Sequence, residues 1–122
     1  MSESREYYIK PAEFGTINIS SEVVTAIAAA AALEVEGVAS MNTNFGTELQ
    51  ERFGKKNNGR GIRLEMEDDH LTVDCSVFVD FGPSIQTIAG AVQESVRNAV
   101  ESMTGLSVAA VNVRIAGINT TK

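Results

Sequence analysis

The sequence predicts an α+β fold, a two-layer sandwich in which a mixed sheet of about four to five strands carries two main helices on one face. Two long segments space their apolar residues by three and four, as amphipathic helices do, and several short segments alternate apolar with polar residues. The 122 residues are 43% hydrophobic and 21% charged, the balance of a globular chain with one core. We therefore expect a single domain at 14–118 between a flexible N-terminal tail at 1–13 and a C-terminal tail at 119–122.

The first half of the chain is predicted to form a strand, a helix and a second strand. Residues 15–19 alternate as a short strand would, and Ser20 or Ser21 can then cap a helix running from about Ser21 to Glu36. Gly37 is well placed to end that helix, and residues 38–41 resemble another short strand in composition. Beyond them we expect a brief helix at 45–53 and a loop at 54–61. One apolar face of the first helix is formed by Val24, Ile27, Ala28, Ala31 and Val35.

A β-hairpin is the best specified part of the sequence. Apolar residues alternate with polar ones from Ile62 to Met66 and again from Leu71 to Phe81, so each strand has one apolar face. If Asp68 and Asp69 form a two-residue turn, the apolar residues of the two strands face one another. This register pairs Met66 with Leu71, Leu64 with Val73, Ile62 with Cys75 and, on the outer face, Arg63 with Asp74.

A long helix and a last strand are predicted to follow. Residues 82–84 break the strand, and the helix should run to about Met103, with Gly105 as its stop. Its apolar stripe consists of Ile85, Ile88, Val92, Val96, Val100 and Met103. Residues 111–115 alternate as a strand. Leu106 and Val108 have the opposite parity, so either they belong to the turn or a bulge lies near Ala109 and Ala110.

Charge and composition exclude several classes of function. Sixteen acidic residues against ten basic give a net charge of -6, which disfavours binding to phosphate backbones and anionic lipid. The one cysteine cannot form an internal disulfide, which fits a reducing compartment. The start of the chain lacks the apolar core of a signal peptide, and no stretch approaches the roughly 20 apolar residues of a membrane span. We expect a cytoplasmic protein without direct membrane insertion, which reaches a membrane only through a partner.

Residues suited to catalysis or ligand binding are few. Carboxylates and an imidazole at Glu67–His70 could hold a divalent cation, yet a charged tight turn is an ordinary hairpin end. Cys75 falls on the inward face of its strand, where a thiol acts as an apolar filler. Glycines 54 and 59 have phosphate-loop spacing, but Arg60 and Gly61 stand where Lys and Ser or Thr are required. We therefore predict no catalytic group, metal or cofactor, and so no enzyme.

Two features are candidates for contact with a partner. Half of all the basic residues fall within twelve positions, where they could contact an acidic protein, RNA or phosphate, or simply form a solvated or self-associating loop: Arg52, Lys55, Lys56, Arg60 and Arg63. No set of aromatic residues suited to base stacking accompanies them. Phe78 points outward by parity, so it either marks a protein contact or is covered by the N-terminal tail.

Over roughly residues 14 to 118 the chain resembles the alkaline shock and Gls-type general stress proteins of Gram-positive bacteria. The resemblance rests on an ordered series of segments: 15–19, the helix at 24–32, Glu34-Val35-Glu36-Gly37-Val38, Val79-Asp80-Phe81-Gly82, Val92-Gln93-Glu94-Ser95-Val96, 100–106 and 111–113. It implies a non-enzymatic role in cell-envelope stress, with some members held at the membrane by a separate anchor protein. The basic loop rich in glycine and asparagine at 54–61 departs from the family pattern.

These observations lead to two hypotheses from different classes. The first is a non-catalytic cytoplasmic protein of the envelope stress response that acts as a scaffold or regulator of cell-envelope homeostasis by binding proteins; a membrane-anchored protein and a second copy of the chain are candidate partners. The alternative is an RNA-binding or regulatory module that uses the basic loop at 52–63. The net negative charge makes nucleic acid the less favoured partner.

Overall fold

The computed structural model describes residues 7–44 and 60–120 and confirms the α+β class. The predicted short helix at 45–53 and nearly all of the predicted loop at 54–61 lie outside the described residues. The elements are β1 (Tyr7–Ala12), β2 (Gly15–Ser20), α1 (Ser21–Leu33), β3 (Val38–Met41), β4 (Ile62–Glu67), β5 (His70–Asp80), α2 (Ile85–Thr104) and β6 (Ser107–Asn119).

In the described part of the chain, the main sheet is mixed and has four strands, with β5 at its centre. Strand β6 runs parallel to β5 along its whole length, from His70 to Asp80. Because β6 occupies one edge of β5, the antiparallel strands β4 and β3 share the other edge, one after the other. Strand β4 pairs with residues 70–75 and β3 with residues 77–79.

Strands β3 and β4 meet at Ser76, which is fully buried. The Ser76 N–H donates to the Gly61 carbonyl, and the Ser76 carbonyl accepts from the Asn42 N–H, both at 2.9 Å. The Ser76 hydroxyl also accepts from Asn42 Nδ2 at 3.1 Å. One residue of β5 thus fixes the ends of both neighbouring strands.

The β4–β5 hairpin has the predicted register. Ile62 pairs with Cys75, Leu64 with Val73, Met66 with Leu71 and Arg63 with Asp74. The turn residues Asp68 and Asp69 have φ of 52° and 70°, the backbone conformation of a type I′ turn, whose twist matches that of the flanking strands.

Two bulges shape β6. Leu71 pairs with Val108 while Thr72 pairs with Ala110, so Ala109 is an extra residue, and the predicted bulge is confirmed. Val77 pairs with Ile115 while Phe78 pairs with Gly117, so Ala116 is a second extra residue. The strand begins at Ser107 and ends at Asn119, and is therefore longer than the predicted span of 111–115.

Each of the two described helices begins with a serine cap. The Ser20 hydroxyl accepts from the Val23 N–H at 3.2 Å, and the Ser84 hydroxyl accepts from the Thr87 N–H at 3.3 Å. Helix α2 ends at the predicted glycine, Gly105, which has φ of 78°. Helix α1 ends three residues before the predicted end, and beyond it Gly37 lies close against Ile88 of α2.

The core lies between one face of the main sheet and the two helices. Both helices contact the sheet and each other, and the hydroxyl of Ser95 on α2 donates to the carbonyl of Ala31 on α1 at 2.9 Å. The fully buried side chains of this core include Val24 and Ala28 from α1, Val92, Val96 and Val100 from α2, and Leu71, Val73, Cys75, Val77 and Val79 from β5. The predicted stripe on α2 is buried only in its middle: Ile85 is 42% exposed and Met103 is 69% exposed.

Strand β1 lies where the sequence predicts a flexible tail at 1–13. Residues 7–12 pair antiparallel with β2, from Tyr7 opposite Ser20 to Ala12 opposite Gly15, and the two strands form a separate two-stranded sheet. Pro11 does not prevent this pairing because each strand of a two-stranded ribbon has a free edge, where a missing N–H costs little. The prediction of a tail over residues 7–12 is therefore wrong.

Candidate interaction surfaces

The β1–β2 hairpin is attached to the rest of the molecule near its open end. The Tyr8 side chain is only 6% exposed, and Ser20 is buried at the start of α1. The Lys10 side chain crosses the C-terminal end of α2, since a Cβ added to Gly105 would meet Lys10 Cδ at 3.0 Å. Tyr8 and Lys10 lie on the same face of the ribbon, so these contacts hold that face against the rest of the molecule, and the turn at residues 13–14 is exposed.

The hairpin exposes large apolar side chains, which we call the hairpin apolar surface: Tyr7 (54% exposed), Ile9 (66%), Phe14 (94%) and Ile17 (50%). Tyr7 and Ile9 lie on one face of the ribbon, while Ile17 lies on the other and Phe14 lies in the turn. A two-stranded hairpin is marginally stable alone in water, and four exposed large apolar side chains on one small hairpin favour an interaction site. The tail predicted at 1–13 leaves no place for this surface, which depends on the pairing of β1 with β2.

The predicted basic residues are only partly described. Arg52, Lys55 and Lys56 lie outside the described residues. Arg60 is exposed in the bend before β4. Arg63 lies on the outer face of β4 with its side chain only 20% exposed. The contact of these five residues with a partner stays a prediction.

Arg63 belongs to a polar cluster on the outer sheet face. Its Nη2 lies 3.7 Å from Asp74 Oδ2, the pair that the hairpin register predicts. Asn112 of β6 donates from Nδ2 to Asp74 Oδ1 at 2.9 Å. The Asp74 carboxylate therefore connects three adjacent strands on this face.

Phe78 lies on the outer sheet face, as its parity predicts, and is half-buried. A Cβ added to Gly117 of β6 would lie 3.1 Å from Phe78 Cδ1 and 3.2 Å from Cε1, so the ring covers this glycine. The part of the ring that remains exposed is a smaller apolar surface than the hairpin offers. Its role in protein contact stays a prediction.

The only cysteine is placed for packing. Cys75 is fully buried among the valines of β5. Burial, together with the neighbouring Asp74 carboxylate, raises the pKa of the Cys75 thiol to about 12. Because the thiolate is the reactive form, this thiol is unreactive at neutral pH.

We expect a thiol-reactive dye to leave the folded protein unlabelled at pH 8 and to label Cys75 after unfolding in denaturant. Burial excludes the reagent, and the raised pKa keeps the sulfur protonated. The rate of the labelling reaction is followed by absorbance, with and without denaturant, for the folded and the unfolded chain. Labelling of the folded chain as fast as that of the unfolded chain would contradict the buried position.

The charged turn between β4 and β5 has its one imidazole at an exposed position. His70 is exposed, and its Nδ1 lies 3.1 Å from the Ser107 hydroxyl at the start of β6. Within residues 7–44 and 60–120, no group of three or more His, Cys, Asp and Glu side chains is arranged to hold a metal ion. Of the helices in these same ranges, none has the length and apolar character needed to cross a membrane.

Comparison with known proteins gives a match over nearly the whole chain. The model of the alkaline shock protein 23 family, described as having a cell envelope-related function, matches residues 9–120. The uncharacterized protein YqhY of Bacillus subtilis is 45% identical over 104 residues, which cover 85% of this chain and 77% of YqhY. The uncharacterized protein YloU of the same organism is 31% identical over 111 residues, which cover 89% of this chain and 92% of YloU.

Solved structures give a more distant match. A MamM CTD variant aligns with a TM-score of 0.48 and 19% identity, covering 79% of this chain and 93% of that one. A second MamM CTD variant aligns with a TM-score of 0.49 and 18% identity, covering 80% and 96% of the two chains. Similarity at this level bears on neither function nor assembly.

Proposed function

Because the chain belongs to the alkaline shock protein 23 family, whose described function is related to the cell envelope, we propose that it is a non-enzymatic protein that serves cell-envelope homeostasis by binding other proteins. It acts in the cytoplasm as a scaffold or regulator and meets the envelope through a membrane-anchored partner. The family description supports the link to the cell envelope, and the hairpin apolar surface supports the mode of action.

The hairpin apolar surface is the observation that carries this proposal. Phe14 is almost completely exposed and Ile9 is two-thirds exposed, although both belong to a defined antiparallel hairpin. Burying a side chain of this kind in an interface stabilises a complex by about 1.5–3 kcal/mol relative to leaving it in water. An apolar groove on a partner would therefore gain several kcal/mol from this surface, enough to determine whether a complex forms.

The residues best suited to chemistry occupy positions that favour a binding role over a catalytic one. The Cys75 thiol is buried, and its raised pKa disfavours the thiolate that a nucleophile requires. The His70 imidazole is exposed at a strand end beside Ser107, away from the core side chains.

The proposal is tested by affinity capture of the tagged protein from cells of its own source, with and without nuclease. We expect the wild-type chain to retain a protein with a membrane-spanning segment in a nuclease-resistant complex. Phe14→Ser should abolish this retention because it removes the most exposed apolar side chain of the hairpin. Phe81→Ser is the matched control, since Phe81 is 75% exposed and lies after β5, outside the hairpin.

Two outcomes would contradict the proposal. Equal retention by the wild type and Phe14→Ser would show that the hairpin apolar surface does not bind the partner. Recovery of RNA that is lost when Lys55, Lys56 and Arg60 are neutralised would favour the RNA-binding alternative, because such retention depends on phosphate contacts and on salt.

A further inference from the structure

Strand β6 has one paired edge and one open edge. It is hydrogen-bonded to β5 along its length, and within residues 7–44 and 60–120 no strand pairs with its other side. The backbone N–H and C=O groups of an open edge are a template for another extended strand. At 13 residues, β6 is the longest strand described in the chain.

Helix α2 shows which backbone groups face the open edge. The Val108 N–H donates to Glu101 Oε2 at 2.9 Å, and the Val111 carbonyl accepts from Gln93 Nε2 at 3.0 Å. These groups therefore point away from β5. Because alternate residues of a strand direct their backbone groups to the same edge, the N–H and C=O of Val113 and Ile115 point to the open edge as well.

The composition of this part of β6 suits it for pairing. The bulges at Ala109 and Ala116 bound a regular segment, Ala110–Ile115, which we call the β6 edge. Natural edge strands avoid unwanted pairing by means of prolines, lysines, several charges or bulges within the exposed stretch. The β6 edge has no proline and no lysine, and its single charge is Arg114.

We propose that the β6 edge pairs antiparallel with the β6 edge of a second copy of this chain, on a two-fold axis through Val113. Val113 then faces Val113 of the partner subunit, and Val111 faces Ile115 of the partner subunit. The pairing forms about six N–H···O=C bonds, two of which use the Val111 carbonyls that also accept from Gln93 in each copy. It joins the two four-stranded sheets into one continuous sheet. It also covers Val113 and Ile115, which are only partly buried in the single chain and extend the apolar face of the sheet.

Charge favours this register over the neighbouring one in which Val113 lies opposite Ile115. In it, Arg114 lies opposite Asn112 of the partner subunit. In each copy the Asn112 amide donates to Asp74, so Arg114 reaches toward the carboxylate of the partner subunit's Asp74. The adjacent allowed register, with Val113 opposite Ile115, would place Arg114 directly opposite Arg114 of the partner subunit, and like charges in that position are destabilising.

This inference deepens the proposed function, on which it rests, by giving a protein that acts through protein contacts a surface for self-association. The β6 edge is separate from the hairpin apolar surface, so the two can fail independently. A C2 pairing uses the same patch on both copies and closes after two chains. The expected species is therefore a dimer with twice the 13.0 kDa mass of the chain.

The test is sedimentation equilibrium of the purified full chain over a range of concentrations and salt. We expect the wild type to be a dimer. Val113→Pro should give a monomer, because it removes an N–H that points to the open edge and leaves the hydrogen bonds to β5 in place. Arg114→Glu should raise the dimer dissociation constant by about tenfold or more, most strongly at low salt, because it brings a carboxylate toward Asp74. Arg60→Glu makes the same charge change before β4 and should leave the dimer unchanged.

Circular dichroism identifies which variants are folded. A wild type that remains a monomer at every concentration would overturn the inference, as would a dimer that persists in folded Val113→Pro. If Val113→Pro is unfolded, the test rests on Arg114→Glu. A dimer dissociation constant of Arg114→Glu equal to that of the wild type then overturns the inference. If the protein is a monomer but still captures the membrane-anchored partner, the dimer is rejected and the proposed function stands. If the protein is a dimer but captures no partner, the proposed function is rejected and the dimer stands.

Discussion

We expect Gly61→Ala to lower the free energy of unfolding by about 3 kcal/mol or more, since it combines backbone strain with steric overlap. Gly61 has φ of 80°, a conformation that residues with a Cβ adopt at a cost. A Cβ there would lie 3.0 Å from the Ser76 carbonyl oxygen and 3.1 Å from the Asn42 carbonyl oxygen. These backbone atoms cannot move away easily, because hydrogen bonds of 2.9 Å join Ser76 to both Gly61 and Asn42.

Gly82→Ala separates the two causes. Gly82 also has a positive φ, of 127°, but a Cβ there would have no neighbour within 4 Å. It should therefore cost about 1–2 kcal/mol, from strain alone. Urea unfolding followed by circular dichroism measures both variants. Equal losses would show that the close contacts around Ser76 carry no energetic weight.

Leu71→Ala should destabilise the protein by about 2–5 kcal/mol, because it leaves a cavity where β4, β5 and β6 meet. Leu71 is fully buried and pairs with Met66 on one side and Val108 on the other. A loss of this size is a large share of the total stability of a domain, which is about 5–15 kcal/mol. The variant should also melt at a clearly lower temperature.

Leu33→Ala is the matched control for this substitution. Leu33 is the last residue of α1 and is 48% exposed, so the same chemical change should cost less than about 1 kcal/mol. Calorimetric melting of both variants gives the comparison. A loss at Leu33 equal to that at Leu71 would contradict the position of the core between β5 and the helices.

The β4–β5 hairpin could be predicted to the residue because its pattern and its turn are local. Alternation of period two fixes which side chains face inward, and the two aspartates of the turn leave one register, which the structure confirms. The central part of α2 follows from its spacing for the same reason. Its ends, Ile85 and Met103, are exposed, and burial at the ends of a helix depends on tertiary contacts that periodicity does not contain.

Strand β1 could not be predicted because its support is not local. Its pattern is interrupted by Pro11, and the strand depends on burial of Tyr8 and on the passage of Lys10 across the end of α2. The hairpin apolar surface could not be predicted for the same reason, because it exists only when β1 pairs with β2. The sequence offers one local signal of a hairpin, the glycine at Gly15 directly after Glu13 and Phe14, but Pro11 interrupts the alternation before it.

The outer sheet face was predicted in part. The hairpin register placed Arg63 opposite Asp74, and the two side chains form an ion pair. The outward position of Phe78 also follows from parity. That its ring covers Gly117 depends on the bulge at Ala116, which shifts β6 by one residue against β5 and leaves no mark in the sequence pattern.

The most direct test of the central claim, that this protein acts through the hairpin apolar surface and not through chemistry, is complementation of a source strain that lacks the gene. Growth under cell-envelope stress is measured with the wild type, Phe14→Ser, Phe81→Ser, His70→Ala and Cys75→Ala expressed at equal levels. We expect Phe14→Ser alone to fail and the other three variants to restore growth. Full rescue by Phe14→Ser together with loss of rescue in His70→Ala or folded Cys75→Ala would contradict the claim.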